Sequence, residues 1–213
     1  MEVIVTHTLA DFDALAAAVA AQRLFPASRI LLPRSLGRDV RAYVALHRDR
    51  IPTVLGSEID PALVSRLVIV DVRRASRLSE HGALIERALA RDPTLEVHVF
   101  DHHAASSDDV PAQHVRVERV GSATTLLLEE LRDRGAELDP VEATLFALGI
   151  HVDTGSLTYS SSTPRDAEAL AWTMRHGASL AVLGRYLGAP LTPAQRELLR
   201  DAIGGLRVET LGG

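Results

Sequence analysis

The sequence predicts a doubly wound α/β fold with a mainly parallel sheet, helices on both faces and a helical C-terminal third. Three observations carry this reading. Short runs that are apolar nearly throughout, Val3-Ile4-Val5, Leu67-Val68-Ile69-Val70 and Val97-His98-Val99-Phe100, read as strands buried on both faces. Segments with helical spacing lie between such runs, which is the alternation expected of a parallel sheet. Polar, acid-bearing loops follow the runs directly, at the end where an open parallel sheet leaves room for ligands.

Taken in order, Val3-Ile4-Val5 leads into a loop with His7, Asp11 and Asp13, and an alanine-rich helix follows from about Leu15 to Phe25. Ile30-Leu31-Leu32 is the second run, and beyond Pro33 the residues Val40, Tyr43, Val44 and His47 recur at helical spacing. The third run ends abruptly in Asp71 and the fourth in Asp101-His102-His103, with an amphipathic helix expected from His81 to Arg91 between them. A short strand is expected at Val115 to Val117. Gly121-Ser122 opens a helix whose apolar stripe is Leu126, Leu127, Leu128 and Leu131, stopped by Gly135. Asp139-Pro140 with Glu142 supplies an N-cap, a first-turn proline and a capping glutamate for an almost wholly apolar helix to Ile150, expected to be buried. Thr163-Pro164 and Thr192-Pro193 repeat the start signal. Residues 1–188 are expected to form one domain, with a boundary near Gly188-Ala189-Pro190. Residues 189–213 are expected to be a helix and tail that begin a linker to an absent second lobe, and Leu211-Gly212-Gly213 reads as a cut.

Composition removes whole classes of chemistry. The 213 residues are 46% hydrophobic and 24% charged, an ordinary globular balance. With no cysteine there is no thiolate catalysis, cysteine zinc site, iron-sulfur cluster or disulfide. All 23 basic residues are arginine, which excludes the lysine of a Walker-type phosphate loop and Schiff-base chemistry. The net charge of -5 and 4% aromatic content argue against a long footprint on duplex nucleic acid or a stacking groove for long single strands. The longest apolar runs, such as Ala14 to Ala21, are far short of the ~20 residues of a membrane helix, and no secretory leader opens the chain, so a cytoplasmic location is expected.

Four segments aim carboxylates and imidazoles at what should be one crevice: His7, Asp11 and Asp13; Asp71; Asp101-His102-His103; and Asp153, after the helix expected to end at Ile150. Taken singly, an aspartate at a strand end also serves as a turn or cap residue. Gathered together, these acids repel one another and drive their pKa values upward unless cations neutralise them. A carboxylate and imidazole set suits Mn(II), Mg(II) or Fe(II). The negative end of the buried helix dipole adds to the attraction.

With these residues in place, the chain resembles the DHH phosphoesterase superfamily, whose motifs occur in order. They are His7-Thr8-Leu9-Ala10-Asp11-Phe12-Asp13-Ala14, Val68-Ile69-Val70-Asp71, Asp101-His102-His103, and Gly149-Ile150-His151-Val152-Asp153-Thr154-Gly155. The resemblance implies two divalent cations, Mn(II) ahead of Mg(II). One would be held by His7, Asp11 and Asp71, the other by Asp13, Asp71, His102 and Asp153, so that Asp71 bridges. His103 would face the substrate phosphate, and Asp101 would orient the neighbouring histidines. The phrases around Asp13, Pro140 to Ile150 and Ser162 to Glu168 are similar to the DHH segment of large bacterial proteins that also carry CBS domains and a tRNA nucleotidyltransferase or poly(A) polymerase-like domain. DHH hydrolases carry a second lobe that grips the substrate, and nothing after Pro190 resembles it.

The function expected is two-metal hydrolysis of phosphodiester or phosphomonoester bonds in small nucleotides or short single-stranded oligonucleotides. Arg73 and Arg74, beside Asp71, and the amides of Gly121 and Ser122 at a helix start are candidate phosphate contacts; a solvated arginine pair and an ordinary N-cap are the plain alternative. The competing expectation is a regulatory or RNA-positioning domain of a tRNA nucleotidyltransferase-type protein, with little activity alone and with tRNA as a partner through the larger polypeptide. An oligomer fits either reading.

Overall fold

The computed structural model describes residues 1–188 and 193–206. Ala189 and Pro190 of the expected boundary, and Leu211-Gly212-Gly213, lie outside the described residues. Six strands form one sheet: β1 (Glu2–Val5), β2 (Ser28–Leu31), β3 (Thr53–Val54), β4 (Arg66–Val70), β5 (Glu96–Asp101) and β6 (His114–Val117). Their order is β3-β2-β1-β4-β5-β6, and every neighbouring pair is parallel. The helices are α1 (Phe12–Leu24), α2 (Arg38–Leu46), α3 (Ser79–Arg91), α4 (Ala123–Asp133), α5 (Pro140–Thr154), α6 (Pro164–Arg175), α7 (Leu180–Leu187) and α8 (Pro193–Gly204).

Alternation along the strands divides the core into two. Ile4, Ile30, Val68, Val70 and Phe100 point to one face and join the buried sides of α1, α4 and α5. Val3, Val5, Leu67, Ile69, Val97 and Val99 point to the other and meet Ile85 and Ala88 of α3. Strands covered on both sides have no solvent face to alternate with, which is why they read as continuous apolar runs. The first of these layers is thin at one place. A Cβ on Gly149 would stand 2.7 Å from the Ala16 Cβ and 2.9 Å from Thr124 Oγ1, so only glycine lets α5 lie this close to α1 and α4.

Several features were not expected. β3 is two residues long, and Thr53-Val54 is too brief to register as a strand. Residues 102–113 cross from β5 to β6 without a helix. The buried helix runs four residues beyond Ile150, to Thr154, because its stop is Gly155 in the left-handed conformation (φ +54°). A Cβ there would collide with the Tyr159 ring. The expected starts of α1 and α3 also move towards the N-terminus, since Asp11 caps α1 and places Phe12 and Asp13 in its first turn.

Candidate metal centre

The strand order reverses between β1 and β4. The chain leaves β1 towards β2 on one side and later returns to β4 on the other, so the loops beyond these two strands part and leave a crevice. His7 follows β1, Asp71 follows β4 and Asp101 is the last residue of β5. Asp153 reaches the same place from the last turn of α5, on the helix and not beyond it as the sequence suggested. Asp71 has a left-handed backbone (φ +56°), a strained state that aspartate tolerates better than most residues and that recurs at functional sites. Its amide is held by the Phe100 carbonyl at 2.9 Å.

Each acid is positioned by backbone. Asp11 Oδ1 caps α1, accepting from the amides of Asp13 (2.9 Å) and Ala14 (3.1 Å). Asp13, fully buried, accepts from Ser122 Oγ at 2.5 Å and from the amides of Ala123 (2.8 Å) and Thr124 (3.1 Å), so it occupies the N-terminus of α4. Both imidazoles are pinned through one nitrogen: His7 Nδ1 to the Thr8 carbonyl at 2.8 Å, and His102 Nδ1 to the Val120 carbonyl at 3.2 Å. That leaves Nε2 of each ring for the crevice. His7 Nε2 lies 3.2 Å from Asp71 Oδ2, and His102 Nε2 lies 3.2 Å from Asp153 Oδ2 and 3.4 Å from Asp71 Oδ1.

Two sets of donor atoms result. Those of His7, Asp11 and Asp71 lie within 4.8 Å of one another, as do those of Asp13, Asp71, His102 and Asp153, with Asp71 common to both. A third set, within the same 4.8 Å, joins Asp71 to Asp101, His102 and His103. The donor chemistry fits divalent cations. A carbonyl fixing the far nitrogen of an imidazole is the arrangement that orients histidine as a metal ligand. Buried Asp71 Oδ1 and His102 Nε2 make no well-aligned hydrogen bond among the described residues.

Charge points the same way. Burial, then Asp71 and Asp153, push Asp11 up to about 6, and the same three causes push Asp13 well above the ordinary carboxylate range. Burial would raise Asp71 too, but His102 and His7 outweigh it and hold it at about 2. Burial would lower His102, yet Asp153 and Asp71 raise it far above its ordinary value. Four carboxylates thus face two imidazoles, a deficit of positive charge that protons or cations must fill.

Beside this cluster, Val72, Arg73, Arg74, Arg77, Asp101 and His103 line a cavity of about 130 Å3. His103 is 41% exposed and donates Nδ1–H to the fully buried Asp101 at 2.7 Å. Asp101 also accepts from the amide of His102 at 2.9 Å. Arg73 is paired with Asp109 at 2.6 Å, while Arg74 and Arg77 are exposed. The expected anion site at Gly121 and Ser122 needs correcting. The Gly121 amide donates to Asp166 Oδ2 at 2.9 Å, Ser122 is fully buried as the N-cap, and the anion at this helix end is Asp13 itself. Sequence reasoning missed Arg77, and it missed buried Asp166, which ties Gly121 to Thr125 and Thr163. The signal for Asp166 was present in the Thr163-Pro164-Arg165-Asp166 capping box. His81, in the first turn of α3, is buried.

Comparison with known proteins agrees with this architecture. Over its whole length the chain is 36% identical to an A-adding tRNA nucleotidyltransferase of Geobacter sulfurreducens and 31% identical to one of Aquifex aeolicus, but it spans only 24% of each. Among solved structures, an exopolyphosphatase-related protein from Bacteroides fragilis superposes with a TM-score of 0.78 at 14% identity, over 98% of this chain and 62% of that one. A putative family II inorganic pyrophosphatase from Methanococcus jannaschii gives 0.67 at 18% identity, over 88% and 60%. At such identities these two likenesses concern the fold. No described helix is long and apolar enough to cross a membrane. Residues 2–150 match the DHH family, N-terminal domain, and the chain belongs to that family.

Proposed function

We propose that the chain is a two-metal phosphoesterase that hydrolyses small nucleotides or short single-stranded oligonucleotides. The observation that carries this reading is the sharing of Asp71 between two donor sets whose histidines are each pinned by a carbonyl through Nδ1. His7, Asp11 and Asp71 would hold one cation and Asp13, Asp71, His102 and Asp153 the other, with Mn(II) the better candidate and Mg(II) the second. Bound there, the cations supply Lewis-acid polarisation of the phosphoryl oxygens and acidification of the attacking water.

The remaining work falls to the chain's own groups. Asp101 is buried and fixes the tautomer of His103, so that Nδ1 carries the proton and Nε2 is free to bond a phosphate or leaving oxygen. Arg74 and Arg77 add charge to the same cavity and, among the described residues, have no carboxylate partner as close as Asp109 is to Arg73. The acidic net charge and low aromatic content favour a short substrate over a long strand.

The test is hydrolysis of the dinucleotide pApA with Mn(II), beside the same protein in chelator and beside Asp71→Ala. Turnover lost in both controls, by more than about 10³-fold in the variant, is the expected result. A second reading has its own support, because both curated relatives named above are A-adding tRNA nucleotidyltransferases of which this chain matches a quarter. On that reading the domain positions RNA or regulates a larger polypeptide. Manganese bound without any turnover of pApA would favour it.

A further inference from the structure

A second group of metal-binding side chains lies away from the acidic crevice. His98 and His114 are direct partners across the parallel pair β5 and β6, and Glu96 stands two residues before His98 on the same face of β5. The two imidazoles stack with ring centroids 4.3 Å apart and planes 18° from parallel. Nε2 of His98 is 2.7 Å from Glu96 Oε1, and Nε2 of His114 is 3.8 Å from the same oxygen. One donor atom from each residue falls within 4.8 Å of the other two.

We infer that Glu96, His98 and His114 form a zinc site on the edge of the sheet, separate from the catalytic centre. Several features of the surroundings prepare it. Arg66 binds Glu96 through Oε2, at 2.8 Å from NH2 and 3.0 Å from Nε, which orients the carboxylate and leaves Oε1 on the side of the histidines. Phe25 packs edge-on against His98 at 4.9 Å and restrains that ring. His98 is half-buried and His114 is 56% exposed, so an ion has a protected floor and an open approach. A shallow cavity of about 440 Å3 bordered by Phe25, His98 and His114 gives that approach.

Three protein donors, two imidazole nitrogens and one carboxylate oxygen, with solvent for a fourth position, supply the donor set of tetrahedral zinc once exposed His114 turns out of its stack on His98, since an ion lies in the plane of each ring that binds it, and they lack the all-oxygen shell that magnesium or calcium prefers. Binding needs no redox step. The Nε2 hydrogen bond from His98 to Glu96 is replaced by coordination of both atoms, and the imidazole proton moves to Nδ1. Separation from the crevice follows from the strand itself. His98 lies three residues before Asp101, roughly 10 Å along β5, and alternation puts the two side chains on opposite faces of the sheet. The ion would clip the edge strand β6 to β5, the pair joined by a crossover without a helix.

The test is zinc stoichiometry and affinity by isothermal titration and metal analysis of the full chain, comparing the parent with His114→Ala and with Glu96→Gln. The crevice is unaltered in all three, so the difference between them reports the edge site whether or not the two-metal reading holds. His114→Ala is expected to bind one zinc fewer, and Glu96→Gln to weaken that zinc by at least about tenfold. Repeating the titration in Asp71→Asn, which disables the crevice, should leave one zinc that vanishes with His114→Ala. Equal stoichiometry and affinity in the parent and His114→Ala would overturn the proposal. Should Asp71→Asn fail to fold by circular dichroism, the comparison of parent and His114→Ala decides alone.

Discussion

Two regions of this molecule concentrate carboxylates and treat them in opposite ways. On the outer side of β6 and α4, Arg116 contacts Glu118, Glu129 and Glu130 at 2.6–2.9 Å, and Arg165 contacts Glu118 and Glu129 at 2.6 Å. Each acid there meets a guanidinium from the chain, and Glu118 is held below its ordinary range by Arg116 and Arg165. In the crevice no arginine approaches Asp11, Asp13 or Asp153 among the ion pairs of the described residues, and two of these acids are pushed upward by burial and by one another. Where the fold alone sets the requirement, charge is cancelled internally. Where charge is left over in a buried place, a ligand is the economical explanation.

The comparison can be broken most strongly at the exposed rim of the crevice. On the proposed reading, in which its Nε2 would act on substrate, His103→Gln should lower kcat for pApA on the order of 10²-fold while leaving bound manganese unchanged, because acid–base help is removed. A fall in metal content of the same size would move His103 from the substrate to the cations.

A smaller effect follows from protons standing in for cations. In chelator, Asp11 titrates at about 6 in the folded chain against 3.8 ordinarily, so folding takes up a proton and that stability is lost as pH rises from about 4 to 6. His102, raised above 6.5, continues the loss at higher pH. Melting temperature without metal should therefore fall by roughly 5 °C between pH 4.5 and 8. With saturating manganese the sign reverses, since protons compete with the cation for the same atoms. Parallel curves with and without metal would show that the cluster is not where manganese binds.

The internally cancelled region should respond least. Glu129→Gln leaves Arg116 and Arg165 each one contact short and should cost about 1 kcal/mol, roughly 2–4 °C in melting temperature, with pApA hydrolysis unaffected. A loss of activity there would join the two regions that the structure keeps apart.

How much of this was legible follows from which interactions are local. β1, β4 and β5 were readable because burial on both faces leaves a continuous apolar run, and α5 because Asp139, Pro140 and Glu142 mark its start within four residues. Its end was misjudged, because His151, Val152 and Asp153 continue the helix as mixed polar residues until Gly155 turns left-handed. The gathering of His7, Asp11, Asp13, Asp71 and His102 was anticipated from the loops beyond strand ends, that of Asp153 from the end of the buried helix, and their division into two sets from the DHH resemblance. What escaped was long-range pairing. Arg73 with Asp109, Gly121 with Asp166, and Ser122 with Asp13 join residues 36, 45 and 109 positions apart, and no local pattern announces them.

Asp13 gives the last of these contacts a meaning for descent. Its carboxylate holds the first turn of α4 against α1 through Ser122, Ala123 and Thr124, and an amide in its place would turn a donor towards donors. In the packing of the fold Asp11 has the single duty of capping α1, which serine, threonine or asparagine performs as well. A lineage that kept the fold without the proposed metal chemistry would therefore be expected to shed Asp11 before Asp13. On the proposed two-metal reading, a relative that kept Asp13 without Asp11 would retain this packing and lack one donor of the set with His7 and Asp71.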